Sequence, residues 1–313
     1  MASADDGSDS ALVTVPWYRS RWLHLALGLA VAILAVFWAG QRAAQGVRDG
    51  LDARLRDAGA GVNASVVAVE SEQLSALRAV TFTEGVGPAL ASKDAAALNR
   101  LVTPVQANSG VPMIDVLLPS GAVELAVRSK GAPAPVASRH GLPAIAQSLR
   151  QARGQRGGRF SEVVIFKSGP VLMTIGPVLD GSKAVGVVLV MTPLADVLGR
   201  ISQQVSTTLT AYDTLGAPIA TTATFVPPAV PRVTAQALIG GGAIDTRDIR
   251  GGNREVLGRL VIDHEPVAVL GIALHDDSAS TGWAVTLYAA LGLLGTVLIL
   301  GAFWAAVANR RAT

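Results

Sequence analysis

Residues 175–201 read IGPVLDGSKAVGVVLVMTPLADVLGRI. Two strand-like runs, Val171–Leu179 and Lys183–Met191, flank the turn Asp180-Gly181-Ser182, where Gly supplies backbone freedom that other residues lack. The second run closes on Thr192-Pro193, which predicts a helix to about Val205. Thr192 stands as its N-cap, Pro193 at its first position and Asp196 in its first turn. A strand–turn–strand–helix order of this kind specifies an antiparallel hairpin leaving directly into a helix.

The same grammar extends in both directions. Upstream, Phe160–Lys167 joins the hairpin through Ser168-Gly169-Pro170, preceded by a helix at Leu142–Ala152 and a Gly154–Gly158 loop. Earlier still, Pro112–Leu118 and Ala122–Arg128 flank Pro119-Ser120-Gly121. Downstream lies a smaller set. Thr208–Tyr212 and Ala217–Thr222 flank the turn Asp213–Gly216, a short helix is expected at 234–239, and Val256–Asp263 pairs with Val267–His275 around His264-Glu265-Pro266. Ahead of all these strands, apolar residues recur at Val47, Leu51, Leu55, Ala58, Val62, Val66 and Val69, the spacing of three and four that predicts one long helix over about 42–84. A shorter helix follows Ser92, with Asp94 in its first turn and Leu98, Leu101 and Val102 on its apolar side.

Two stretches are too apolar for a water-facing helix. Leu23–Gly40 carries His24 as its one ionisable group, with Trp17, Tyr18, Trp22 and Trp38 near its ends; Trp283–Ala308 carries no charge. Each meets the roughly 17–25 residues that span a bilayer, and amphipathic rings mark its interfaces. The first is long for the apolar core of a signal peptide, and the chain opens on Asp5, Asp6 and Asp9 rather than on basic residues, so the sequence predicts an uncleaved anchor. Arg19 and Arg21 precede the first span and Arg310 and Arg311 follow the second, which places both termini in the cytoplasm and the middle outside it. Small residues Gly28, Ala32, Ala35 and Ala39 share one face of the first span and suggest close helix approach, hence a homodimer.

Composition narrows the function. Mean hydropathy is +0.43 and the formal charge only +3, with most of the 26 basic and 23 acidic residues spread along the middle, so nucleic acid is not an expected partner. There is no Cys, which removes disulfides, thiol nucleophiles and Cys-based metal centres. Neither G-x-S-x-G nor H-E-x-x-H occurs, and Gly181-Ser182-Lys183 has the order of a hairpin turn rather than of a phosphate loop. His264 beside Glu265 reads as turn chemistry, and His275-Asp276-Asp277 as a solvated strand end. No enzyme activity, cofactor or metal is expected.

The stretches 109–127 (SGVPMIDVLLPSGAVELAV), 175–201 and 209–222 (LTAYDTLGAPIATT) together resemble the double Cache sensor domain of bacterial transmembrane receptors, over about residues 41–280. The resemblance implies an α+β fold of two stacked PAS-like antiparallel-sheet modules on a long N-terminal helix, flanked by two transmembrane helices. In these terms the chain divides into a cytoplasmic tail (1–22), a first span (23–40), the long helix (41–85), a membrane-distal module (86–203), a membrane-proximal module (204–282), a second span (283–308) and a tail (309–313). It further implies ligand sensing by the distal module and relay through the spans. The amino-acid-binding subgroup of that family carries an Asp on the closing strand and an Arg near Trp or Tyr. Here Met191 or its neighbours stand where that Asp would fall, and no Trp lies between positions 39 and 282, which argues against a generic amino-acid receptor. Only Asn309–Thr313 follow the second span, so a partner is expected to read the signal, either a second copy or a separate membrane receptor or transporter chain.

One electrostatic feature stands out. Between Glu124 and Glu162 lie Arg128, Lys130, Arg139, Arg150, Arg153, Arg156 and Arg159, with no acid among them. Such a stretch suits a carboxylate or phosphate ligand, which guanidinium groups grip bidentately, or else it is a solvated face beside a loop. On the ligand reading, Arg159 and Phe160 enter the strand where Cache pockets take contacts, Arg128 adds charge, and Phe166, Met173 and Met191 supply apolar walls. The expected function is an extracytoplasmic small-molecule sensor, its ligand an anion if the basic stretch serves recognition. The alternative is an interaction protein whose ectodomain binds an envelope partner.

Overall fold

The computed structural model describes residues 17–136, 138–153, 158–249, 253–275, 282–292 and 294. The chain divides into two compact units, Met1–Gly50 with Asp276–Thr313, and Leu51–His275. Helix α1 (Trp17–Thr81) begins in the first unit and ends in the second, so the helix expected over 42–84 is longer at its start and ends three residues earlier.

In the first unit, α1 meets a helix over 282–292. Gly40 is buried there: a Cβ on it would collide with Thr286 Oγ1 and lie 3.2 Å from the Gly282 carbonyl. Gly282 in turn faces Ala44. Small residues let the two backbones approach closely. Among the described residues, no helix is long and apolar enough to cross a membrane. Most of the expected second span, and the side chains of 23–30 in the first, lie outside the described residues. So do the two tails, except for the helical backbone of 17–22.

The second unit holds two five-stranded antiparallel sheets, as expected for an α+β fold. The first has the order β2 (Val123–Arg128), β1 (Met113–Leu117), β5 (Lys183–Pro193), β4 (Gly169–Asp180), β3 (Phe160–Phe166). The second repeats it, as β7 (Pro218–Thr221), β6 (Thr208–Tyr212), β10 (Glu265–His275), β9 (Asn253–Ile262), β8 (Asp245–Ile249). Strand β8 was not expected: its sequence, DTRDI, is mostly exposed at a sheet edge and lacks the apolar alternation by which strands are recognised.

The first sheet is covered on both faces, and side-chain alternation decides what each face meets. Ile114, Val116, Val178, Val188 and Val190 pack with Leu77 and Val80 of α1, and with α2 (Val86–Ala91) and α3 (Ala95–Ser109). Met113, Leu117, Met173, Ile175, Val187, Leu189 and Met191 turn the other way, toward Ala144 and Ile145 of α4 (Pro143–Arg153). A third cluster joins the two sheets, combining Leu172, α5 (Leu194–Val205) and α1 residues Leu55, Val62 and Val66 with Leu209, Leu260 and Ile272 of the second sheet.

Three local expectations shift. The cap of α5 is Pro193, with no side-chain hydrogen bond to it, because the Thr192 hydroxyl accepts a bond from Gln73 of α1 at 2.8 Å. The β9–β10 turn is Asp263-His264 rather than His264–Pro266. Both turn residues have positive φ (51° and 67°), as a two-residue turn matching strand twist requires, and Pro266 is the second residue of β10, beside a bulge. Asp94 is the N-cap of α3 rather than a residue of its first turn, accepting from the Ala97 N–H at 2.9 Å.

Candidate functional site

On the α4 face of the first sheet, β1 carries Asp115 between Met113 and Leu117. Its carboxylate is fully buried, where an unpaired charge would cost several kcal/mol, on the order of the desolvation penalty of an ion. Two guanidinium groups meet it. Arg139, from the segment between β2 and α4, donates to Oδ2 from Nη2 at 3.1 Å and from Nε at 3.3 Å. Arg128, the last residue of β2, brings Nη2 within 2.5 Å of Oδ1, an ion contact without hydrogen-bond alignment.

Both arginines are almost buried, with side chains 11% and 10% exposed. Arg128 Nη1 donates to the carbonyls of Ile114 and Val127, and its buried Nε has no hydrogen-bond partner. Arg139 lies over the Phe166 ring, 4.2 Å from its centre, and approaches Met191 Sδ at 3.7 Å. Two buried cations against one buried anion leave a surplus positive charge.

That surplus borders a cleft of about 540 Å³. Met113, Leu142, Val164, Phe166, Val171 and Met191 give it apolar walls; Arg128, Arg139, His140, Lys167, Ser138 and Ser168 give it polarity; among the described residues no acid is in its lining. The volume falls in the usual range for small-molecule sites, about 300–1,000 Å³. One wall is formed by Pro133, Ala134, Val136 and residues 138–142, where the Arg139 N–H donates to the Gly121 carbonyl and His140 Nδ1 meets the Ser120 carbonyl.

A larger cavity, of about 1200 Å³, runs between α1 and the second sheet. Its cationic rim groups, Arg78, Arg259 and His264, are exposed, and Glu70 already accepts the Asp263 N–H at 3.1 Å. It is bigger but holds no buried surplus charge among the described residues, so the cleft on the first sheet is the better site chemically.

No family model matches this sequence, and no curated protein matches it. Solved structures do. A domain of a protein assigned to the sensory box/GGDEF family from Vibrio parahaemolyticus aligns at TM-score 0.52 and 12% identity, covering 76% of this chain and 99% of that domain. The ligand-binding domain of the Campylobacter jejuni chemoreceptor Tlp3, solved in complex with 4-methylisoleucine, aligns at TM-score 0.52 and 9% identity, covering 75% and 93%. The fold is that of a double Cache sensor domain.

Within the Cache fold, the residues singled out from sequence separate by face. Arg128, Phe166 and Met191 line the cleft. Met173 is fully buried and Phe160 half-buried in the core beneath α4, behind the wall rather than in it. Arg159 lies outside the cleft. Phe160 pairs with Ile175 on the α4 side, so Arg159 turns to the α1 side, where it stacks 4.8 Å over the Phe82 ring. Its pKa is lowered by burial and, secondarily, by Arg78. Arg150 lies on α4, while Arg156 and the Arg153 side chain fall outside the described residues.

Asp115 and the central role of Arg139 were not singled out. The signal was present in the sequence: a lone acid inside Met113–Leu117, whose neighbours are all apolar, demands a buried cationic partner. The Arg139 side chain is 24 residues away in sequence, and spacing alone does not select it from seven basic candidates.

Proposed function

We propose that this chain is an extracytoplasmic small-molecule sensor, anchored in the cell membrane, whose distal Cache cleft takes an anionic ligand. The carrying observation is the surplus buried guanidinium charge beside an apolar-walled cleft with no acid in its lining. A ligand carboxylate there would complete the charge balance, and charge-assisted bonds to Arg are among the strongest available. The Tlp3 domain with 4-methylisoleucine supports ligand binding as a use of this fold, though not the ligand. Membrane anchoring is supported by the apolar residues on α1, where Val31, Ile33, Leu34, Phe37 and Trp38 are 58–71% exposed, a surface unusual in water.

Relay has a physical route. On β4 and β5, Val171 and Met191 face the cleft, while their neighbours Leu172 and Thr192 face α1 and bond Gln73. A ligand that moves these strands therefore moves the contacts holding α1, and through it a second copy or a separate receptor or transporter chain.

The test is a thermal melt of the whole chain in lipid nanodiscs with a panel of small carboxylates and phosphate. At a hundred times its dissociation constant a ligand adds about 2.7 kcal/mol. Arg139→Ala is expected to abolish the shift and Arg159→Ala to preserve it. No shift with any anion, or an unchanged shift in Arg139→Ala, would sink the reading.

A further inference from the structure

The same cleft says something about what it refuses. Resting on the sensor reading above, we propose that it selects a monocarboxylate with an uncharged apolar body and rejects the matching α-amino acid, because the carboxylate behind its wall, Asp115, is fully buried and already held by Arg128 and Arg139. An α-ammonium group needs an anionic acceptor when it leaves water. Asp115 is fully buried, with Arg128 at 2.5 Å on one oxygen and Arg139 at 3.1 Å on the other. Among the described residues no acid lines the cleft, and Lys167 stands exposed at its rim.

An ammonium entering this cleft meets net positive charge and must compete with two guanidiniums for Asp115. A carboxylate meets the opposite field. The count also fixes the ligand's charge: two buried arginines against one buried aspartate are neutralised by a single negative charge. The body of the ligand then meets Met113, Leu142, Val164, Val171 and Met191, which offer no polar partner beyond thioether sulfur.

Matched pairs test this directly: 4-methylpentanoate against L-leucine, 3-phenylpropanoate against L-phenylalanine, and propanoate against L-alanine. Binding to the full chain in nanodiscs is measured by calorimetry. At least one acid is expected to bind, and at least about tenfold more tightly than its amino acid, since an unpaired charged group costs 1.4 kcal/mol or more and that is a factor of ten. Arg139→Gln frees one edge of Asp115. It is expected to weaken the acid and bring the ratio of the pair toward one. An amino acid that binds wild-type protein as tightly as its partner acid overturns the selectivity and leaves the ligand-sensing reading intact. Failure of every acid and every amino acid overturns both. The wild-type ratio needs no variant, so poor folding of Arg139→Gln leaves the test decisive.

Discussion

Glu162 shows how one half-buried carboxyl leaves a mark on the whole fold. It lies on β3 opposite Met173, and burial pushes its carboxyl above the usual carboxylate range. A raised folded-state pKa means the folded state holds the proton more tightly than the unfolded chain does. Below the ordinary carboxylate range Glu162 is protonated in both states and costs nothing. As pH rises through the raised folded value, a charge must be held half-buried and stability is lost. Glu162→Gln keeps the shape without the titration, so the gap in melting temperature between variant and wild type should widen in the variant's favour from pH 4 to pH 7. A gap that is constant with pH would show that Glu162 is solvated. Charged residues were the least legible part of the sequence for this reason. Arg128 and Arg159 look alike as letters, yet one ends β2 on the cleft face and the other stacks on Phe82 across the sheet, a choice made by strand parity. Turn residues were easier: Gly181, at φ 59°, sits where the Asp180–Lys183 turn needs it.

Elements were legible where period and punctuation agree, as in the hairpin of β4 and β5, and illegible where burial does not shape the pattern, as in β8. What no pattern reveals is how α1 is registered on the sheet. Gln73 is 1% exposed and bonds the Leu172 carbonyl and the Thr192 hydroxyl, at 3.2 and 2.8 Å, and accepts from the Thr174 hydroxyl at 2.7 Å. Ser161 on β3 extends the chain of bonds to Thr174 at 2.8 Å. One helical side chain thus ties two strands directly and a third through Thr174. Replacing it by an apolar residue of similar volume leaves buried acceptors and hydroxyls unpaired, at about 1–3 kcal/mol. For a domain of this size each kcal/mol moves the melting temperature by about 2–4 °C. Gln73→Leu, at about 1–3 kcal/mol, should therefore melt about 2–12 °C lower, while Glu72→Ala next door should shift it by about 2–4 °C at most. Glu72 pairs with Arg200 at 3.3 Å across exposed surface, where such pairs contribute about 0–1 kcal/mol. Equal shifts from the two variants would remove Gln73 from the register role.

At the scale of the molecule, the proposed membrane anchoring poses the question of which side of the bilayer the Leu51–His275 unit would occupy. The signal for this is in the sequence: two uncharged stretches and the Arg pairs flanking them, Arg19 with Arg21 and Arg310 with Arg311. The absence of Cys makes the chain a clean background for accessibility labelling, since each introduced thiol is the sole reactive site. Lys130 is exposed just after β2 of the first sheet, and Ser8 precedes the first apolar stretch. In intact cells a membrane-impermeant maleimide should label Lys130→Cys and leave Ser8→Cys unlabelled, and permeabilising the cells should expose Ser8→Cys. The Lys130 substitution removes one exposed charge away from the core and costs little stability, so labelling reports position rather than unfolding. A cell-surface anion sensor requires this pattern, because its cleft must meet ligands that have not crossed the bilayer. Labelling of Lys130→Cys only after permeabilisation would place the cleft on the cytoplasmic side, and the extracytoplasmic reading would fall with it.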